Sequence, residues 1–315
     1  MGQITLRSGR PLRLAWGALA VAGLLFTGGC SWVKSYAVDT LGDAMSSGTG
    51  SVYSRDDDPE LVKDSLPFAL KTIEGLLEAS PRHPGLLLAA ASGFTQYSYA
   101  FVSAEADYVE AKDLEAATAL RDRSLKLYRR AVEYGLRGLE VAQPGFRAEL
   151  RADPQAALAK AKKEQVPLLY WTAAAWGSAI SLALHDAELA ADLSTVAGMM
   201  ERALALDEPY GLGALHDFFI AYDGGRSAAA GGSAARAEEH MKRALELSRG
   251  TRVAPLVSYA ETVCVGAQKK EQFTKLLGEA LAFDVNRAPE QRLANLVSQK
   301  RARWLLGRAD ELFIE

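Results

Sequence analysis

The residues of this sequence that could perform acid–base, nucleophilic or metal chemistry are few and far apart. Its 315 residues include two cysteines and four histidines, which are His83, His185, His216 and His240. His216 has Asp217 beside it, but adjacent residues on a helix point about 100° apart around its axis. No H-E-x-x-H, G-x-S-x-G or G-x-x-x-x-G-K pattern occurs. We therefore predict no catalytic residue, no metal site and no cofactor, and a protein that is not an enzyme. A hydrolase that uses His216 or Asp217 is kept as a third hypothesis.

One cysteine, Cys30, lies where a lipid could be attached. It follows a segment with three arginines and an apolar run over 14–26, which is shorter than the ~20 residues of a membrane-spanning helix. The run ends in Thr27-Gly28-Gly29-Cys30, which resembles a bacterial lipobox. We predict a lipoprotein signal peptide over 1–29, with acyl chains such as palmitate on the Cys30 thiol as the membrane anchor. An ordinary signal peptide with an incidental cysteine, or an uncleaved anchor, is the alternative.

The residues after the lipobox indicate where the mature protein lies. Ser31 occupies the position where an aspartate retains many Gram-negative lipoproteins at the inner membrane. We therefore predict a protein of the bacterial cell envelope, anchored at the outer membrane and facing the periplasm. Residues 30–58 contain small polar and acidic stretches and are interpreted as a tether. Removal of 1–29 takes away three arginines and no acid, which lowers the net charge from −3 to −6. This acidic balance argues against a nucleic-acid partner.

The rest of the chain, 59–315, has the pattern of an all-α domain. Asp58-Pro59-Glu60 combines an N-cap residue, a first-turn proline and an acid, and it predicts a helix that begins at Pro59. Asp153-Pro154 predicts a second such beginning, with a helix to Gln165 and the next one from Leu168. Apolar residues recur at steps of three and four, and no segment shows the two-residue alternation of a strand.

A related pattern recurs where five of the expected helices end. Apolar residues in an Ala-Leu-x-Leu type of arrangement are followed by an acidic or other polar residue and, in three of the five, a proline. The five matches lie at 76–81, 138–144, 203–209, 244–248 and 280–284. The last two spacings, 41 and 36 residues, are close to the ~34-residue tetratricopeptide period. We predict a degenerate tetratricopeptide-like (TPR-like) helical solenoid, because such helix pairs bury their apolar faces only by stacking.

Two polar segments receive structural interpretations. The glycine-rich stretch 224–233 lacks the lysine of a phosphate-binding loop and is interpreted as a flexible connection between helices. Arg301, Arg303 and Arg308 are interpreted as a solvated helix face with partial packing. Cys264, which lies among apolar residues, is expected to be a small buried side chain rather than a nucleophile.

The segment 168–180 differs from the others because it carries almost no charge on any side. Trp171 and Trp176 lie five residues apart and hence about 140° apart around a helix, so they cannot serve one narrow face. Two interpretations are open: a central core helix, or a helix with a tryptophan that lines an apolar passage for a ligand. The candidate ligand- or partner-binding residues are Tyr170, Trp171, Trp176, Tyr210, His216, Phe219 and Tyr259.

Several segments keep a characteristic order along the chain. They include Leu169-Tyr170-Trp171-Thr172-Ala173-Ala174-Ala175-Trp176-Gly177 and the segments 199–207, 213–216, 237–247, 259–261, 292–295 and 302–306. In this order and spacing the chain resembles the TRAP transporter T-component (TatT) family. The resemblance implies a lipoprotein of cryptic TPR-like repeats that accompanies a tripartite ATP-independent periplasmic (TRAP) transporter.

The same resemblance implies the partners. It predicts a complex with the periplasmic solute-binding subunit, a hydrophobic small molecule as ligand, and no catalytic residue. A homo-oligomer, for which a trimer is the working assumption, is expected for a stack with apolar ends. The alternative function is a TPR-like scaffold lipoprotein for envelope or outer-membrane protein assembly, which would use its concave face and need no apolar passage.

Overall fold

The computed structural model describes Met1 and residues 52–314 of the chain. The remainder of the predicted signal peptide 1–29, the lipidation site Cys30 and most of the predicted tether 30–58 lie outside the described residues. Within 52–314 every regular element is a helix and no strand occurs. The all-α prediction is therefore confirmed.

The helices follow one another in chain order with short connections. The first half of the described chain contains α1 Pro59–Ala79, α2 Pro84–Ser98, α3 Ala104–Val109, α4 Leu114–Ala142, α5 Phe146–Ala152, α6 Pro154–Ala159 and α7 Val166–Leu182. The second half contains α8 Ala187–Ala191, α9 Leu193–Leu206, α10 Ala214–Gly224, α11 Ala234–Leu247, α12 Ala254–Tyr259, α13 Lys270–Ala282, α14 Arg292–Gly307 and α15 Ala309–Leu312. Two π-helical turns, Tyr99–Ser103 and Ala260–Cys264, follow α2 and α12 directly.

The helix beginnings are set by side chains that accept hydrogen bonds from the first turn. The carboxylate of Asp58 accepts from the backbone N–H groups of Glu60 and Leu61, as predicted. Asp153 caps α6 in the same way, but α6 ends at Ala159 and not at Gln165. The difference has a tertiary cause, since Arg202 of α9 donates to the carbonyl oxygen of Ala159, at the end of α6.

The patterns expected at helix ends are confirmed, because all five lie where a helix ends. They close α1, α4, α9, α11 and α13. The leucine or alanine inside each pattern is buried: Leu77, Leu139, Ala203, Ala244 and Ala280 are at most 3% exposed. Each pattern therefore packs the last turn of a helix onto the preceding layer before the chain turns back.

Three apolar cores follow one another along the stack. The N-terminal core lies among α1, α2, α4 and the end of α7, and the middle core lies among α4 to α10. The C-terminal core lies among α10 to α15. Adjacent cores share helices, because α7 contributes to the first two, and α10 contributes Phe219 to the second and Ile220 to the third.

Polar side chains bring the two ends of the stack together. Arg301 of α14 donates to Asp107 of α3 at 2.8 Å and also to Glu261 in the second π-helical turn. The ring of Trp304 packs against that of Tyr108, with centroids 5.5 Å apart. These five residues, which we call the closing seam, join helices whose apolar cores share no residue.

Two sequence-based interpretations need correction here. Arg301 does not lie on a solvated face, because its side chain is only 16% exposed and is paired with two carboxylates. The glycine-rich stretch is a connection between helices, as expected, but its backbone is fixed by charged side chains. Arg236 donates to Asp223 at 2.7 Å and to the carbonyl oxygen of Gly231 at 2.6 Å.

Candidate functional site

Helix α7 is covered on nearly all sides. Every residue from Val166 to Ile180 is buried or half-buried, and α2, α4 and α9 pack around the helix. The approach of α4 is close, since a Cβ atom at Gly135 would overlap the Oγ1 atom of Thr172, and one at Gly138 would lie 2.6 Å from Leu168. An apolar helix without charge therefore occupies the centre of the stack, as the sequence predicted.

The two tryptophans of α7 lie in different surroundings. Trp176 packs against the middle core and bonds to the carboxylate of Asp192, whose pKa burial raises. Trp171 instead meets Tyr170 edge to face at 4.8 Å. Tyr210 also packs edge to face on Tyr170, at 5.4 Å, and burial raises the pKa of Tyr210 to about 12 against the opposing effect of a hydrogen bond with Trp171. The structure thus brings together Tyr170, Trp171 and Tyr210 and separates them from Trp176.

Tyr170 also faces a polar region formed by distant elements. Burial raises the pKa of its phenol. The charge of Asp217 and the phenol of Tyr99 raise this pKa further, and the charge of Arg252 lowers it. Tyr99 is 61% exposed, yet burial raises its pKa as well. The electrostatics of Tyr170 therefore connect it with Tyr99, Asp217 and Arg252, which come from separate elements.

Two ion pairs lie beside these tyrosines. Arg252 donates a hydrogen bond to Asp217 of α10. The side chain of Arg252 is 12% exposed and that of Asp217 is 20% exposed. Burial raises the pKa of Asp217, while Arg252 acts in the opposite direction, and the Oδ1 atom of Asp217 has no hydrogen-bond partner. The second pair joins Glu261 and Arg301, whose charges influence Tyr99. We call the set Tyr99, Tyr170, Asp217, Arg252, Glu261 and Arg301 the inner face.

His216 and Phe219 belong to a different contact, between α10 and α11. The Nδ1 atoms of His216 and His240 are 2.7 Å apart, and His216 Nε2 lies 3.3 Å from the carboxylate of Glu208. Phe219 is 6% exposed and stacks on His240 at 4.9 Å. As predicted, His216 and Asp217 do not form an acid–base pair, because they have separate partners.

Tyr259 lies apart from the other candidates. It is 1% exposed and belongs to the C-terminal core. Cys264 is also buried there, as predicted, and burial raises the pKa of its thiol to about 11. Within 52–314 no group of three or more His, Cys, Asp or Glu side chains is arranged to hold a metal ion.

Half of the six residues of the inner face, Tyr99, Arg252 and Glu261, were not predicted as site residues from the sequence, and Arg301 was assigned to a solvated face. Tyr99 and Arg252 carry no local motif, and Glu261 was noted only within the segment 259–261 that resembles the family. Their partners lie 35 or more residues away along the chain, so pairing depends on how the helices stack. The one local sign is the departure from regular helix geometry, because Tyr99 and Glu261 both lie in π-helical turns, which occur often at functional sites.

The fold and the inner face define the class of protein: a stack of helical hairpins with an aromatic and ion-paired interior. Comparison with known families is more specific. The model of the TRAP transporter T-component family matches residues 55–313, and the chain belongs to this family. A protein of Treponema pallidum (strain Nichols) with the description "Uncharacterized protein" is similar, at 30% identity over 268 residues, which cover 84% of this chain and 83% of the relative.

Family membership makes this chain a component of a TRAP transport system. A membrane-crossing helix would need a long, uncharged apolar stretch, and none of the helices within the described residues has one. Cys30 lies outside those residues, so its lipidation remains a prediction.

Proposed function

We propose that the protein is a periplasm-facing accessory subunit of a TRAP transporter that binds the solute-binding subunit and passes an apolar ligand along its inner face. The observation that carries this proposal is the contact of Tyr170 with Trp171 and Tyr210, beside the largely buried ion pair of Asp217 and Arg252. In this proposal the protein acts by binding and release, and no catalytic step is involved.

The chemistry of the inner face suits a largely apolar ligand. The aromatic rings of Tyr99 and Tyr170, with Trp171 against Tyr170, offer apolar contact area beside the two ion pairs. Arg252 and Arg301 are already paired with carboxylates, so they present little net charge to a ligand. A molecule with an apolar body would therefore bind there without leaving a buried charge unpaired.

Trp171 provides a test of ligand binding. We expect Trp171→Ala to weaken binding of the neutral fluorescent probe N-phenyl-1-naphthylamine about tenfold, because an aromatic wall is lost. Trp176→Ala is the matched control, because it removes an equal side chain that packs against the middle core. It should lower the melting temperature and leave the affinity for the probe nearly unchanged. Equal probe affinity for wild type and Trp171→Ala would contradict the passage.

The partner is tested with the soluble Cys30→Ala form. We expect it to form a complex with the solute-binding subunit of its own transport system at micromolar concentration, measured by calorimetry. Absence of any complex at tens of micromolar would count against the proposed function. Capture of outer-membrane assembly machinery from the envelope would instead favour the scaffold function.

The anchor is tested separately. Wild-type protein expressed with radiolabelled palmitate should carry the label and fractionate with the outer membrane, whereas Cys30→Ala should carry none. Label retained by Cys30→Ala would remove Cys30 as the anchor.

A further inference from the structure

A row of arginines lies along the outer face of α4, away from the inner face. Arg123, Arg130 and Arg137 follow one another at intervals of seven residues, which is about two helical turns and ~10.5 Å of rise. The three side chains therefore form a nearly straight line of ~21 Å. We call these three residues the arginine row.

Each guanidinium group of the row is held over an aromatic ring. Arg123 lies 5.7 Å from the ring centroid of Tyr97, Arg130 lies 5.2 Å from that of Phe94, and Arg137 lies 5.3 Å from that of Tyr134. The rings of Phe94 and Tyr134 are themselves stacked at 6.0 Å. Stacking fixes the planes of these side chains and lowers the entropy lost when they bind a partner.

The row is not neutralised as other arginines of the same helix are. Arg121 pairs with Glu110 at 2.8 Å and with Asp107 at 3.2 Å, and Arg129 pairs with Asp186 at 3.3 Å. In the row, by contrast, Arg123 donates to the hydroxyl of Tyr97 and Arg137 to the carbonyl oxygen of Pro81.

Arg130 is the member of the row that pairs with a carboxylate, and it shares that carboxylate with a lysine. It lies 3.4 Å from Glu74, and Lys71 binds the same carboxylate more closely, at 2.6 Å. Lys126 is exposed between the first two arginines and adds a further positive charge. Among the described residues, five cations lie along this face, and the acids beside them are Asp122, Glu74, Glu78 and Glu133, of which Glu133 is paired with Arg147.

We infer that the arginine row is the docking surface for a protein partner whose contact face carries carboxylates. A guanidinium fork held in one plane matches a carboxylate with two parallel hydrogen bonds. A carboxylate on every second turn of a partner helix would repeat at the ~10.5 Å spacing of the row. A cleft lined by Tyr134, Arg137 and Glu74 beside the row could take one further side chain of that partner.

Charge and residue type favour a protein over an anionic lipid surface. A membrane attracts positive charge without regard to spacing, and lysine serves that purpose as well as arginine. Here three of the five cations are arginines that lie over aromatic rings at a regular interval, and acids lie beside them. This inference rests on the proposed function in one respect, since the solute-binding subunit is the partner to be tested.

The test compares two variants with equal loss of charge. Arg123, Arg130 and Arg137 are changed to Gln in the first. Arg151, Arg249 and Arg287, which are exposed elsewhere, are changed to Gln in the control. Binding of the solute-binding subunit to the Cys30→Ala background is measured by calorimetry at two salt concentrations.

We expect the row variant to bind at least tenfold more weakly and to lose most of its salt dependence, while the control keeps both. A row variant with Arg→Lys should fall between the two, because charge is kept and the planar fork is lost. Equal affinity of the row and control variants would overturn the inference while leaving the proposed function intact.

Two further outcomes are informative. If wild type binds no solute-binding subunit, the proposed function fails, and the row is then tested with a helical peptide that carries glutamate at every seventh position. No difference between row and control variants toward that peptide overturns the inference. Row-dependent binding to phosphatidylglycerol vesicles, without binding to either protein or peptide, would also overturn it in favour of a lipid surface.

Discussion

At the scale of residues, His216 and His240 form a contact that depends on how many protons it holds. Their Nδ1 atoms share one hydrogen bond of 2.7 Å, so one ring donates and the other accepts. Burial lowers the pKa of both imidazoles, and the charge of His240 lowers that of His216 further. When both rings are protonated, both Nδ1 atoms become donors and the bond is lost.

Stability should therefore fall on mild acidification. A histidine whose pKa is lower in the folded protein than in the unfolded chain binds its proton more weakly when folded. The stabilising contribution is complete above the unfolded value of about 6.5 and is lost as the pH falls below it. We expect the free energy of unfolding, measured with urea between pH 8 and pH 5, to decline over this window.

The double variant His216→Gln/His240→Gln should lose much of this decline. His185→Gln is the control, because His185 is exposed. The carboxylate of Glu208 lies beside His216, and that of Asp223 lies beside His240. Arg243 lowers the pKa of Glu208 to about 2, so Glu208 stays ionised between pH 8 and pH 5. A decline of equal size in the double variant and wild type would show that other groups cause it.

At the scale of elements, the contact between α4 and α7 determines how deeply α7 is enclosed. The absence of a side chain at Gly135 lets Thr172 approach, and the hydroxyl of Thr172 donates to the carbonyl oxygen of Leu168 within α7. This polar group is therefore satisfied inside its own helix and needs no partner across the interface. Small residues on one helix and an internally bonded threonine on the other permit a close approach without an unpaired polar group.

Gly135→Ala should destabilise the protein despite the better helix propensity of alanine. The new Cβ atom overlaps the side chain of Thr172, so α4 and α7 must separate, at a cost of about 1–3 kcal/mol in the free energy of unfolding. Gly75→Ala in α1 is the matched control, because no atom lies within 4 Å of its added Cβ. That substitution should stabilise by about 0.5–1 kcal/mol. Chemical denaturation checks both, and equal stabilisation by the two would contradict the close packing.

At the scale of the whole molecule, the stack has junctions of two kinds. Successive layers are joined by shared apolar cores, whereas the closing seam depends on ion pairs and one aromatic contact. Contacts with few buried apolar atoms open at lower free energy than core contacts. The seam is therefore the junction that we expect to open first, and it lies beside Tyr99 of the inner face.

Arg301→Gln should loosen the seam while leaving the rest of the stack folded. The substitution leaves Asp107 and Glu261 without their common cation, at a cost of about 1–3 kcal/mol. Amide hydrogen exchange should become faster in α3 and α14 but not in α7. Arg303→Gln is the control, since Arg303 is exposed on the same helix. Uniformly faster exchange, including α7, would mean that the seam unfolds only with the cores.

Particular elements show how far the sequence could be used. The cap at Asp58 and the five helix-end patterns were predicted correctly, because capping and chain reversal depend on residues a few positions apart. The charge-free character of 168–180 predicted a covered helix for the same reason. The end of α6 was predicted wrongly, since Arg202 acts on it from 43 residues away.

The candidate site divides in the same way. Tyr170, Trp171 and Tyr210 were proposed from their aromatic character and do lie together, whereas Tyr259 lies in another core. Whether any of them binds a ligand stays a prediction. Asp217 was noted beside His216, but its partner Arg252 is 35 residues further on and has no signature of its own.

By itself the sequence determined the helical class, the five helix ends that carry the recurring pattern, the apolar centre and the order of motifs that indicates the family, because these depend on local chemistry and on periodicity. The tertiary structure alone decided that Arg301 closes the stack, that Tyr210 packs against Tyr170, and that three arginines of α4 stand in line over aromatic rings. The physical reason is that such contacts join residues from different layers. Their positions depend on the sum of all the helix lengths and packing angles between them, which no single stretch of sequence contains.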